Sequence, residues 1–149
     1  MLRARLGDKK YDSYYKFTFV RNPWARILSS YFWRQRLPKK RPVAPFPDFV
    51  ENAKQAVRTG QYYRQEFGDH FIPQTEYTRD VDDVFRCENF ENAVRTVAAK
   101  LGVFVGRVPA KTPKHHDKYR EFYDGRTRAV IAELYREEIE ELGYRFEEE

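Results

Sequence analysis

The residues with the clearest capacity for chemistry lie in one run, residues 16–31, KFTFVRNPWARILSSY. An apolar segment, Lys16-Phe17-Thr18-Phe19-Val20, runs into Arg21-Asn22-Pro23, and a helical pattern begins at once. A guanidinium offers an oxyanion a planar fork of N–H donors, and a serine hydroxyl can add a further bond. Ser29 follows Arg21 by eight residues, about two helical turns and roughly 10 Å along a helix axis. Arg26 precedes Ser29 by three residues and so shares its face. One phosphate could therefore be held by Arg21 and Ser29, with Arg26 nearby. The same spacing suits an ordinary capped helix with an exposed arginine equally well.

The elements that must position these groups follow from periodicity and punctuation. Residues 16–20 predict a strand, after a short helix or turn at 2–6. Asn22 is the predicted N-cap, and Pro23 takes the first helical position, where its missing N–H costs nothing. Trp24, Ile27, Leu28, Tyr31 and Phe32 recur at helical spacing and predict a buried stripe that ends before Pro38. Pro42, Pro45 and Pro47 mark a loop. A second helix is predicted over 48–58, with Phe49, Val50, Ala53 and Val57 inward and Gly60 as its stop. Residues 61–80 read as irregular, and 84–86 as a short strand. Asn89 is the predicted cap of a helix carrying Phe90, Ala93, Val94, Val97, Ala98 and Leu101, ended by Gly102, with a third strand at 103–105. Asp124 caps a predicted long helix with Val130, Ile131, Leu134, Tyr135, Ile139 and Leu142 inward; Gly143 closes it, and Tyr144 and Phe146 fold back on the core. Strands alternating with helices predict an α/β layered domain with a thin sheet.

A chain of 149 residues suits one compact domain that needs no staple. The single cysteine, Cys87, excludes an internal disulfide and a thiolate metal cluster, and adjacent His115 and His116 diverge too far to hold a metal. No apolar run reaches the ~18 residues of a membrane span and no signal peptide opens the chain, so a cytoplasmic location is expected. Aromatic residues at 17% argue against disorder. The net charge of +5 is uneven: residues 34–41 and 107–120 are basic, while Glu137, Glu138, Glu140, Glu141 and the last residues form an acidic end. That distribution suits an anionic ligand, or else is simply solvated surface. A basic, aromatic nucleic-acid-binding module ranks last, because Trp24 falls on the apolar stripe and no stacking sheet is recognisable. No GXXXXGK[ST] phosphate loop occurs.

The run Phe19-Val20-Arg21-Asn22-Pro23-Trp24-Ala25-Arg26-Ile27-Leu28-Ser29 resembles the 3′-phosphate-binding motif of sulfotransferases that use 3′-phosphoadenosine-5′-phosphosulfate (PAPS), above all the carbohydrate-type, membrane-associated and bacterial branch. His70-Phe71-Ile72-Pro73-Gln74, the step from Arg86-Cys87-Glu88-Asn89-Phe90 to Leu101-Gly102, and Gly143-Tyr144-Arg145-Phe146 resemble further elements of that branch in the same order. The resemblance implies a three-layer, P-loop-like α/β fold, incomplete here and helix-rich with a few short parallel strands, as one domain over 1–149 shortened at its N-terminus. It implies sulfuryl transfer from PAPS to a hydroxyl, usually of a sugar, without a metal. By the motif, Arg21 and Ser29 would bind the 3′-phosphate of PAPS or its product PAP, with Arg26 beside them. His70 is the remaining candidate for acid–base work, against a structural histidine. Lys111, Thr112 and Lys114 lie in the region that resembles a loop closing over donor or acceptor, against a solvated loop. The family's lysine–X–glycine–X–threonine loop and upstream histidine base have no counterpart before Tyr11. That leaves open a non-catalytic descendant that binds PAP-like nucleotides or sulfated glycans. Strand edges left exposed by a missing first strand favour self-association.

Overall fold

The computed structural model describes residues 2–37, 43–61, 68–108 and 118–147. The chain forms two compact units, Met1–Val20 with Glu76–Val108, and Arg21–Thr75 with Pro109–Glu149. In chain order the first half contains α1 (Leu2–Leu6), α2 (Asp8–Ser13), β1 (Phe17–Val20), α3 (Pro23–Arg36) and α4 (Phe46–Arg58). Then follow α5 (Thr75–Thr78), β2 (Asp83–Arg86), α6 (Phe90–Leu101), α7 (Gly125–Leu134) and α8 (Arg136–Leu142). The class is α/β and helix-rich, with one small parallel sheet among the described residues. No helix among the described residues is long and apolar enough to cross a membrane.

In the first unit β1 and β2 pair in parallel, Phe17 opposite Asp83 through Val20 opposite Arg86. Alternate positions on a strand share a face, and here they build an aromatic seam. The Phe85 ring lies 6.2 Å from Phe17 and 5.8 Å from Phe19, and Phe90 at the start of α6 lies 5.3 Å from Phe19. Ala93, Val97 and Ala98 supply the buried side of α6. Ahead of β2, the Asp82 carboxylate accepts from the Lys16 amide at 2.6 Å. Asp83 accepts from both the Lys100 ammonium and the Tyr15 hydroxyl, which hold its pKa below the ordinary carboxylate range.

Two sequence expectations fail in this unit for local reasons. Residues 103–105 form no strand: the Val103 amide closes the C-terminus of α6 by donating to Ala98 at 3.0 Å, beside the left-handed Gly102. That is a Schellman closure, and it leaves Phe104 exposed. Asn89 precedes α6, but its side chain accepts from Asn92 Nδ2 and caps no helix amide.

The second unit packs α3, α4 and α7 around Ile27, Leu28, Phe49, Val50, Ala53, Phe71, Ile131 and Tyr135, with Tyr31 and Phe32 half-buried at its margin. Helix α3 starts as predicted: Asn22 Oδ1 accepts from the amides of Trp24 and Ala25, and Pro23 follows the cap. Helix α4 begins at Phe46, two residues before the predicted start, because proline is tolerated in a first helical turn. The predicted helix over 124–142 is two helices, broken at Tyr135 (φ −113°, ψ 30°), whose hydroxyl donates to the Phe71 carbonyl at 2.9 Å. The C-terminal return holds: Tyr144 is buried, and Phe146 packs edge-on against Trp24 at 5.4 Å.

Asp124 and Thr127 form a reciprocal capping box at the start of α7. The Thr127 amide and hydroxyl, by hydrogen-bonding the Asp124 carboxylate, hold its pKa below the usual range. A depressed carboxylate contributes stability that is present above its unfolded pKa, about 4, and is lost as pH falls through the folded value. Asp124→Ala is therefore expected to melt below wild type at pH 7, with the gap closing as pH drops below 4; a gap independent of pH would contradict this. Ile131 is fully buried, and Ile131→Ala should cost about 2–5 kcal/mol by urea denaturation.

Candidate anion-binding site

Arg21 follows β1 directly, and its backbone is held by a side chain. The Arg21 amide donates to Gln74 Oε1 at 2.7 Å, and Gln74 Nε2 donates back to the Arg21 carbonyl at 2.8 Å. The Gln74 amide thus imitates one rung of a β-ladder. Gln74 is only 6% exposed, so each of these groups would be costly to leave unpaired. Next in the chain, Asn22 caps α3 with its oxygen and donates through Nδ2 to the Arg145 carbonyl at 2.8 Å. Two consecutive residues are therefore pinned at the helix entry, where the helix dipole favours an anion.

Gln74 is itself fixed by Glu138. The Glu138 carboxylate accepts from the Gln74 amide at 2.6 Å, from Gln74 Nε2 at 2.8 Å, and from Arg26 Nη2 at 3.2 and 3.4 Å. Arg26 Nη1 donates to the carbonyls of His70 and Ile72 at 3.1 and 2.9 Å. The Arg26 guanidinium also lies 4.8 Å from the centre of the Tyr135 ring, and its Nε is buried without a hydrogen-bond partner. Burial pushes the Tyr135 hydroxyl up to about 12, against the opposing effect of Arg26.

This geometry sorts the predicted residues. Arg21 and Ser29 both lie in the second unit and both are half-buried; the Ser29 hydroxyl bonds no described residue. Arg26, expected beside the phosphate, is turned instead to Glu138 and two backbone carbonyls. The neighbouring Ser30 bonds back to the Arg26 carbonyl at 3.0 Å and lies 3.3 Å from His70 Nδ1. His70 stacks on Trp33 at 4.7 Å, and its carbonyl serves Arg26. Lys111, Thr112 and Lys114 lie outside the described residues. Among the described residues no group of three or more His, Cys, Asp or Glu could hold a metal ion.

Two residues of the network were missed from sequence. Glu138 was read with the acidic surface, yet it is 1% exposed. Its signal was its position: with Tyr135, Ile139 and Leu142 it lies on the inward face of the helix. Gln74 closes a quoted motif, but nothing local marks it as a backbone partner of Arg21.

The sulfotransferase family model matches residues 2–146. The chain belongs to the sulfotransferase family. An uncharacterized protein of Archaeoglobus fulgidus is 32% identical over 103 residues, which cover 69% of this sulfotransferase-family chain and 80% of that protein. No solved structure matches. Membership accords with the order of motifs from Arg21 through Phe146, and with an α/β fold whose first strand leads into a proline-started helix.

Removing the Glu138 carboxylate leaves Arg26 as a partly buried charge without its counter-ion and strands the Gln74 amide. Glu138→Ala is expected to lose about 3–5 kcal/mol in urea denaturation. A loss typical of a surface glutamate, within about 0.5 kcal/mol, would contradict the assignment.

Proposed function

We propose that this chain binds the 3′-phosphate end of PAPS, or of its product PAP, and that it serves sulfuryl transfer to a hydroxyl, most simply that of a carbohydrate. Residues 1–149 act in this reading as one sulfotransferase-like domain. The observation that carries it is the immobilised entry to α3, where Gln74 holds the Arg21 backbone and Asn22 caps the helix. The Arg21 fork and the Ser29 hydroxyl then hold the phosphate oxygens. Arg26 acts as a framework cation paired with Glu138. Family membership supports the donor class, and the excess of basic residues supports an anionic ligand.

Calorimetric titration of adenosine 3′,5′-bisphosphate tests the pocket. Wild type is expected to bind in the micromolar range, Arg21→Ala to lose about tenfold or more, and Ser29→Ala to lose less. Equal affinity in wild type and Arg21→Ala would refute the site.

A second reading, nucleotide binding without catalysis, is favoured by one observation. His70 is packed on Trp33 and beside Ser30, so it is poorly placed to accept an acceptor proton. Radiolabelled sulfate transfer to carbohydrate acceptors divides the two. Residues 1–149 are expected to show little turnover, and His70→Ala to lose stability rather than a catalytic base. Robust turnover abolished by His70→Ala would restore His70 as the base.

A further inference from the structure

We infer that Gln74 is a positioning residue: its buried amide, locked by Glu138, fixes the backbone of Arg21 and so sets how strongly and how selectively this site takes a 3′-phosphate. The inference rests on the proposed role of Arg21, and goes beyond it by locating the origin of the geometry outside the phosphate-binding segment.

Three features carry it. First, the contact is reciprocal: the Gln74 oxygen takes the Arg21 N–H and the Gln74 nitrogen serves the Arg21 C=O, so both peptide groups flanking the Arg21 Cα are restrained. With both flanking peptides fixed, the Cα–Cβ direction from which the guanidinium extends is fixed as well, and a preorganised fork loses less entropy on binding an anion. Second, the amide can take only one orientation. Reversing it would point Nε2 at the Arg21 N–H and Oε1 at both the Arg21 carbonyl and the Glu138 carboxylate. Glu138 thus decides which end of Gln74 meets which group of Arg21. Third, the carboxylate that orients Gln74 also holds Arg26. One buried acid therefore orients the partner of Arg21 and withdraws a second arginine from competition for the ligand.

The test compares adenosine 3′,5′-bisphosphate with adenosine 5′-monophosphate, which lacks the 3′-phosphate, in calorimetric titrations of folded protein. Gln74→Met keeps the length of the side chain and removes its hydrogen bonds. It is expected to weaken bisphosphate binding about tenfold while leaving the monophosphate nearly unchanged. General loss of structure would lower both affinities together. Gln74→Glu places two carboxylates in contact and should lose at least as much. Adding Glu138→Gln restores a donor to position 138 and should recover part of the loss. Amide hydrogen exchange of wild type needs no variant: Arg21 is expected to be as protected as the paired amides of β1. A freely exchanging Arg21 amide, or folded Gln74→Met with an unchanged ratio of the two affinities, would overturn the inference. If Arg21→Ala leaves bisphosphate binding intact, the phosphate site itself fails. If Arg21→Ala abolishes binding and Gln74→Met does not, only the positioning role fails.

Discussion

The second unit depends on a carboxylate where a hydrophobic side chain would be expected. Glu138 is buried on the inner side of α8 and accepts hydrogen bonds from both Gln74 and Arg26. Removing an ion from water costs several kcal/mol, so such a group persists only when nearly every acceptor position is filled by good geometry. Filling them draws together three stretches distant in sequence: α3 through Arg26, the segment after the 3₁₀ turn Gly68–Phe71 through Gln74, and α8. A leucine at this place could stabilise the core equally well, but it could not specify which way the Gln74 amide faces or where Arg26 rests.

The same economy governs the aromatic residues around this polar centre. Tyr135 donates to the Phe71 carbonyl while its ring supports Arg26. Tyr123 donates to the Trp24 carbonyl at 2.9 Å, and burial raises its pKa well above that of a free phenol. Trp24 in turn gives its indole N–H to the Arg128 carbonyl at 3.1 Å. Each large ring fills volume and gives its polar hydrogen to a backbone carbonyl. The high aromatic content thus does two jobs in a chain with little aliphatic bulk.

What could be read from sequence was local. Asn22-Pro23, Asp124, Gly102 and Gly143 act within a turn of themselves, and the helix boundaries they signal are met in the structure. The two strands, read at 16–20 and 84–86 and found at 17–20 and 83–86, were legible from apolar runs, and the order of motifs pointed to the family. Misreadings came from competition between local and distant demands. Val103 has strand propensity, but its amide was claimed by the end of α6. Tyr135 lies in a helical pattern, but its hydroxyl answers to Phe71. Arg26 has the spacing of a phosphate ligand, and its local sequence gives no sign that its charge meets Glu138, 112 positions away. No pattern within one window reveals such a partner; only an acid on an apolar face hints that one exists.

Unit boundaries at 20/21, 75/76 and 108/109 mean that each compact unit is made from two separate lengths of chain. During synthesis β1 emerges before residues 83–86 and has no partner until they have followed, with all of α3 and α4 made in between. Closing so long a loop carries an entropic cost that grows with the logarithm of its length, which makes strand pairing a late event beside the rapid formation of α3. Neither unit can be isolated by cutting the chain once, so a single protease nick between 21 and 75 divides both units at the level of sequence while leaving every residue of the sheet present.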